Sequence, residues 1–223
     1  METRENAPLP LLNMVEARVL GCLIEKAVTT PDVYPLTINA TQQAANQKTG
    51  RDPVMSLSPG DTNHALRQLE QKGLVRQSFS SRADRYEHRV ETAFSLTPPQ
   101  SILLGLLLLR GKQTAYELLA RSERMAKFAE VEDVRHQLDR LVQRQPALVV
   151  RLPCGPGQRE DRYTHLLGGP VTEDSVVVTD SREPPVAAVA PSPDLGARVL
   201  ALEAEVAALR EAVAQLLPVP EAS

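Results

Sequence analysis

The chain has 223 residues, 42% of them apolar, with 3% aromatic, no tryptophan and a formal charge of −3 at pH 7. That length holds one large or two small domains with aliphatic, largely helical cores, and the charge excludes indiscriminate coating of nucleic acid. Two cysteines, Cys22 in an apolar run and Cys154 in a turn, exclude a disulfide framework and a cysteine metal site.

Residues 1–10 carry no pattern and are expected to be disordered. Asn13 is placed to cap a helix whose inward positions include Val15, Val19, Cys22, Leu23 and Ala27. Thr29-Thr30-Pro31-Asp32 ends it, and Tyr34-Pro35-Leu36 is a short extended connector. Residues 37–47 form a second helix, polar enough to lie half exposed. The polar connector Lys48-Thr49-Gly50-Arg51-Asp52-Pro53 leads to Ser58-Pro59, a hydroxyl cap followed by an N1 proline, which opens the third helix. Gly73 closes that helix, and Leu74-Val75-Arg76 begins a strand. Ser80-Ser81-Arg82-Ala83-Asp84 is a basic turn, and Arg85-Tyr86-Glu87-His88-Arg89 returns. Helix, short strand, helix, helix, hairpin is the order of a winged helix-turn-helix, here residues 11–95. An ordinary helix–hairpin unit without a ligand shares that pattern.

A second copy follows over residues 96–170. Leu104-Gly105-Leu106-Leu107 echoes Leu20-Gly21-Cys22-Leu23, and Thr114 echoes Thr30. His136-Gln137-Leu138 and Leu141 echo His64-Ala65-Leu66 and Leu69, while Asp161-Arg162-Tyr163-Thr164-His165 repeats Asp84-Arg85-Tyr86-Glu87-His88. The fold class expected is therefore α+β, mainly helical, with tandem winged helix-turn-helix domains. After them come a linker rich in Val, Pro, Ser and Ala at residues 171–193, a short coiled coil at 194–217 and a tail at 218–223.

With Leu66 and Leu69 inward, the outward stripe of the third helix is Gly60, Asn63, His64, Arg67 and Gln71, with Gln68 beside it. None is acidic, and Asn, Arg and Gln match the paired donors and acceptors of base edges in a major groove. A solvated polar face has the same look. The repeat sets Gly60 against Glu132, Asn63 against Arg135, His64 against His136, Arg67 against Asp139 and Gln71 against Gln143. Anions at 132 and 139 would face phosphates, so the second copy is suited to packing on the first, on a twin or on a partner. Its hairpin keeps Arg159 and Arg162.

Residues 171–223 hold 3 basic and 9 acidic side chains. Within them Leu195, Val199, Leu202, Val206, Leu209, Val213 and Leu216 alternate by four and three, with valine at a and leucine at d. That pairing favours a parallel two-stranded coil. Arg198 faces Glu203 of the other strand and Glu205 faces Arg210, so a homodimer is expected, although a core-facing helix shares the pattern.

No Gly-rich phosphate loop, paired metal-ligand motif or Cys–His spacing is present, so no catalytic residue, metal or cofactor is expected. His88 and His165 hold equivalent strand positions beside tyrosines, which points to shared packing. Residues 102–109 are too short to span a bilayer, and a cytoplasmic setting is expected.

Glu16-Ala17-Arg18-Val19-Leu20-Gly21-Cys22-Leu23-Ile24-Glu25-Lys26, with Thr29-Thr30-Pro31-Asp32 and Tyr34-Pro35-Leu36, resembles the start of the YceH-like bacterial proteins. Asn46-Gln47-Lys48-Thr49-Gly50-Arg51-Asp52-Pro53-Val54-Met55 is similar to that family's most distinctive segment. Leu109-Arg110-Gly111, Gln113-Thr114 and Arg162-Tyr163-Thr164-His165-Leu166 extend the likeness through the second copy. Ala115-Tyr116 departs from it, standing where Pro-Gly is the family's pattern. The resemblance implies tandem winged helices and leaves the biochemical role largely undefined.

The expectation for function is a dimeric regulator of transcription that binds DNA through the third helix and hairpin. Asn63, His64, Arg67, Gln68 and Gln71 face the groove, with Lys48, Arg51, Arg82 and Arg85 on flanking phosphates. For the 47–53 connector the competing expectation is a loop pinned by local pairing of Arg51 and Asp52. The competing class of function is a non-catalytic assembly protein whose winged helices grip a protein partner. A continuous positive face favours the first class, and an apolar groove favours the second.

Overall fold

Asn13 behaves as its side chain predicts. It accepts from the Glu16 N–H while Glu16 answers its own N–H, a reciprocal cap that opens α1 (Met14–Thr29). The structure, a computed structural model, describes residues 9–79, 83–155 and 159–169. The 171–193 linker, the heptad positions Leu195 to Leu216 and Arg82 lie outside the described residues.

A 3-10 turn (Pro31–Val33) follows α1, then β1 (Leu36–Thr37), α2 (Ile38–Ala45), α3 (Pro59–Gln71), β2 (Val75–Phe79) and β3 (Asp84–His88). Ser58 caps α3 in a second reciprocal box with Asp61, and Gly73 leaves the helix at φ +71°. The short helix α4 (Val90–Phe94) has no counterpart in the sequence-based expectation; Ser95, in the left-handed region, ends it. The order then recurs as α5 (Pro98–Arg110), β4 (Gln113–Thr114), α6 (Ala115–Ser122), α7 (Val131–Gln143), β5 (Val149–Leu152) and β6 (Arg162–His165). The described residues thus form an α+β fold of seven α-helices and two small antiparallel sheets. The sheets are ordered β1-β3-β2 and β4-β6-β5.

The repeat holds for the three helices and three strands of each copy, while the 3-10 turn and α4 have no counterpart among the described residues of the second. Leu12-Asn13 before α1 matches Leu96-Thr97 before α5, and Thr97 with Gln100 rebuilds the box of Asn13 with Glu16. β1 pairs with β3 through Leu36↔Tyr86, as β4 pairs with β6 through Gln113↔Tyr163. The Arg89 N–H donates to Leu74 C=O, and Leu166 N–H donates to Leu148 C=O. One expected correspondence is wrong. Thr114 caps α6 as Thr37 caps α2, so its partner is Thr37 and not Thr30. The second copy reduces the segment between its first helix and first strand to Gly111-Lys112, where the first has residues 30–35.

The two copies share one core. α1 lies against α5, and Leu20, Leu23, Ile24, Leu103, Leu104 and Leu107 are fully or almost fully buried in the same cluster. Both copies' tyrosines, Tyr86 and Tyr163, belong to it. The Leu12 N–H donates to Leu167 C=O, tying the start of the first copy to the end of the second.

His88 and His165, two residues after those tyrosines on β3 and β6, each have a buried Nδ1 without a partner among the described residues. Burial lowers both pKa values to about 4. An unfolded histidine titrates near ~6.5, so the unfolded chain takes up protons first as pH falls. The stability these neutral rings carry is full above about pH 6.5 and is lost as pH falls toward 4. The urea midpoint should therefore drop more between pH 7 and pH 4.5 in the native protein than in the His88→Gln/His165→Gln variant. An equal drop in both would remove the histidines as its cause.

Candidate nucleic-acid interface

α3 presents one polar face. Thr62, Ala65, Leu66 and Leu69 are buried, while Gly60, His64, Arg67 and Gln71 are exposed and Asn63 and Gln68 half-buried. None of the Asn63, His64, Arg67, Gln68 or Gln71 side chains has a hydrogen bond or ion pair among the described residues. The Asp61 carboxylate, at the N-terminal end of this helix, is folded back on Ser58, whose hydroxyl and N–H hold its pKa below the usual value.

α7 differs. Arg135 donates to Glu132 at 2.8 Å, and its guanidinium stands 5.7 Å from the Tyr116 ring centroid, on the exposed ring contributed by α6. The cation that replaces Asn63 is thus already occupied. Arg162 approaches Glu117, and Arg151 pairs with Asp161 across the second hairpin.

One of the expected phosphate contacts is corrected. Arg51 is only 6% exposed, and every N–H of its guanidinium is used. It meets the Glu25 carboxylate with two bonds at 2.6 and 3.1 Å. It also donates to the Ala44 and Gly50 carbonyls and to Gln47 Oε1. The loop is pinned by Arg51, as the competing expectation had it, but the partner is Glu25 on α1 and not Asp52. Arg85 donates to the carbonyls of Pro35 and Val33 at 2.7 and 3.3 Å, which ties β3 to the segment before β1. Lys48 stays exposed. Of the expected positive face, Lys48 and Arg67 have no side-chain partner among the described residues, and half-buried Arg85 keeps its Nη2 and Nε without one.

Sequence reasoning missed Arg18, which is 2% exposed and has no carboxylate partner among the described residues. It donates to Ala45 C=O and Pro53 C=O, its Nε is unpartnered, and burial lowers its pKa. Arg18 and Arg51 together satisfy the last two carbonyls of α2, where the helix dipole favours cations. Asn46 closes the same loop, exchanging hydrogen bonds with both backbone groups of Leu57. The Asp52 N–H donates to Leu109 C=O. The apolar run around Arg18 hid it, because a long cation among Val and Leu reads as a solvated position until the neighbouring helix end is in place.

Among the described residues no group of His, Cys, Asp and Glu is placed to hold a metal ion, and no helix is long and apolar enough to cross a membrane. Burial raises the Cys22 thiol to about 11, while Cys154 is exposed.

A family model described as a protein of unknown function, DUF480, matches residues 12–158. A UPF0502 protein of Mesorhizobium japonicum is 61% identical over 202 residues, covering 91% of this chain and 94% of the relative. A UPF0502 protein of Xanthomonas campestris pv. campestris is 57% identical over 95% of both chains. One of Stenotrophomonas maltophilia is 55% identical over 93% of this chain and 95% of its own.

Proposed function

The chain belongs to the DUF480 family, and we propose that it is a DNA-binding regulator of transcription built from tandem winged helices. In this reading α3 enters a major groove, and Asn63, His64, Arg67, Gln68 and Gln71 face base edges or phosphates. The observation that carries it is the contrast between the repeated third helices. The α3 face is polar and free of internal partners among the described residues, while on α7 the cation at the position of Asn63, Arg135, is held by Glu132 and Tyr116. The heptad pattern in the sequence of residues 194–217, outside the described residues, supports a homodimer with two such faces.

The test is retention of genomic DNA fragments across a salt series. Arg67→Ala should lower specific affinity by about 1–3 kcal/mol, and Asp139→Ala should weaken nothing. Equal effects from the two, or none from Arg67, would remove α3 as the reading element.

The assembly reading has its own observation. Leu11, just before α1, and Met14, its first residue, are 62% and 64% exposed, and Arg51 is withdrawn from the expected positive face. A protein partner seated on Leu11 and Met14 would leave Arg67→Ala without effect and would be lost in a Leu11→Ser/Met14→Ser variant.

A further inference from the structure

The loop joining α2 to α3 is five residues longer than its counterpart joining α6 to α7, which makes the same helix–helix connection. The fold does not need the extra length. Yet the loop is held as firmly as a core element. Asn46 fastens its ends, Arg18 and Arg51 fill its interior, and the Asp52 backbone is tied to the last turn of α5. What this frame presents is an exposed tip, Lys48-Thr49, followed by Gly50 at φ +75°.

Gly50 lies against Arg110. A Cβ at position 50 would stand 3.1 Å from Arg110 Nη2, and the positive φ would strain any other residue there. Arg110 is half-buried, and its guanidinium has no hydrogen bond and no ion pair among the described residues. After burial, the charges that weigh most on it are those of Arg121 and Arg51, both cations, and all three effects lower its pKa. Glu25 and Asp52 act the other way and more weakly; Glu25 is already taken by Arg51. The C-terminal dipole of α5 favours a cation at 110, but it requires neither the longer loop nor a glycine beside the guanidinium.

We propose that the Lys48-Thr49-Gly50 tip and the Arg110 guanidinium bind a phosphate group. A half-desolvated guanidinium without an anion is unfavourable, and an oxyanion relieves that. The donors on offer are a planar fork, an ammonium, a hydroxyl and the backbone N–H of a half-buried glycine. A tetrahedral, multiply charged phosphate suits that set better than a flat carboxylate does. The phosphate is either that of a DNA backbone or that of a small free ligand. The site does not depend on α3 reading DNA.

The test is titration of the isotopically labelled full chain with inorganic phosphate, with ionic strength held constant by chloride, followed by NMR. Saturable shifts are expected at Lys48, Thr49, Gly50 and the Arg110 side chain. Arg110→Gln should weaken binding at least tenfold, Lys48→Gln less, and Arg110→Lys should keep part of it. The same spectra report whether each variant is folded. No saturable shift in the native protein, or an unchanged titration in Arg110→Gln, would overturn the site. The second arm is DNA retention across the salt series. A salt slope lower by about 1 in Arg110→Gln assigns the phosphate to DNA. An unchanged slope with phosphate binding lost assigns it to a free ligand.

Discussion

Glu25→Ala is expected to lower unfolding free energy by about 3–5 kcal/mol, the loss that follows when one partner of a buried ion pair is removed. The Arg51 side chain is wholly buried, and among the described residues Glu25 supplies its only carboxylate, through two bonds. Without it the guanidinium keeps the Ala44 and Gly50 carbonyls and Gln47 but holds an uncompensated charge. Glu25 is itself 19% exposed, so water reaches the vacated side, which places the loss toward the lower end, near ~3 kcal/mol. Removing both charges in Glu25→Ala/Arg51→Met should recover only part of it, since the apolar replacement leaves no buried ion but strands the Ala44 and Gly50 carbonyls. Urea unfolding at pH 7 measures this, with the midpoint moving and the slope unchanged. A loss below ~1 kcal/mol in the single variant would mean that the loop is not clamped by this pair.

That pair also marks where the sequence stops being legible. Ser58, Pro59 and Gly73 carry local chemistry, and each acts within a turn of itself, so α3 and its ends could be read directly. The polar face of α3 followed from the same periodicity. Arg51 could not be read that way, because its carboxylate lies on α1, 26 residues earlier, and only the packed fold brings the two together. The backbone anchorage of Arg85 could not be read for a similar reason. Its acceptors are backbone carbonyls, to which side-chain identity gives no clue. α4 was missed because Arg89 provides no side-chain cap and the helix has only 5 residues. The mismatch of Thr114 with Thr30 arose from counting along the chain from the glycines. The second copy shortens one connection, so equal spacing selected the wrong threonine, and only the capping role identifies Thr37.

The echo of Leu20-Gly21 in Leu104-Gly105, by contrast, has a physical cause that the repeat alone did not reveal. These two glycines are where α1 and α5 come closest. A Cβ at Gly21 would meet Leu109 Cγ at 2.8 Å and the Gly105 carbonyl at 3.2 Å. One at Gly105 would meet Ile24 Cγ2 at 2.8 Å and its Cβ at 3.1 Å. Each helix thus presents its glycine to a branched side chain one turn along the other, a reciprocal contact between equivalent elements. It is the joint through which the two copies share one core.

Gly105→Leu is therefore expected to cost about 3 kcal/mol or more, because Ile24 is almost fully buried and cannot withdraw without displacing the rest of the cluster. Gly105→Ala sets two opposed effects against each other. Alanine gains about 1 kcal/mol of helix propensity, and overpacking against Ile24 loses about 1–3 kcal/mol, leaving a net loss near ~1 kcal/mol. Ile24→Ala removes the obstructing Cγ2 at a cost of about 2–5 kcal/mol from its own cavity. In the Ile24→Ala/Gly105→Ala protein the new methyl occupies space the isoleucine has left. The pair should then be less damaging than the sum of the singles by about 1 kcal/mol or more. Urea unfolding of the four proteins completes the cycle. Losses that add within about 0.5 kcal/mol would show that position 105 does not meet Ile24, and the close approach of the two helices would have to lie elsewhere along them.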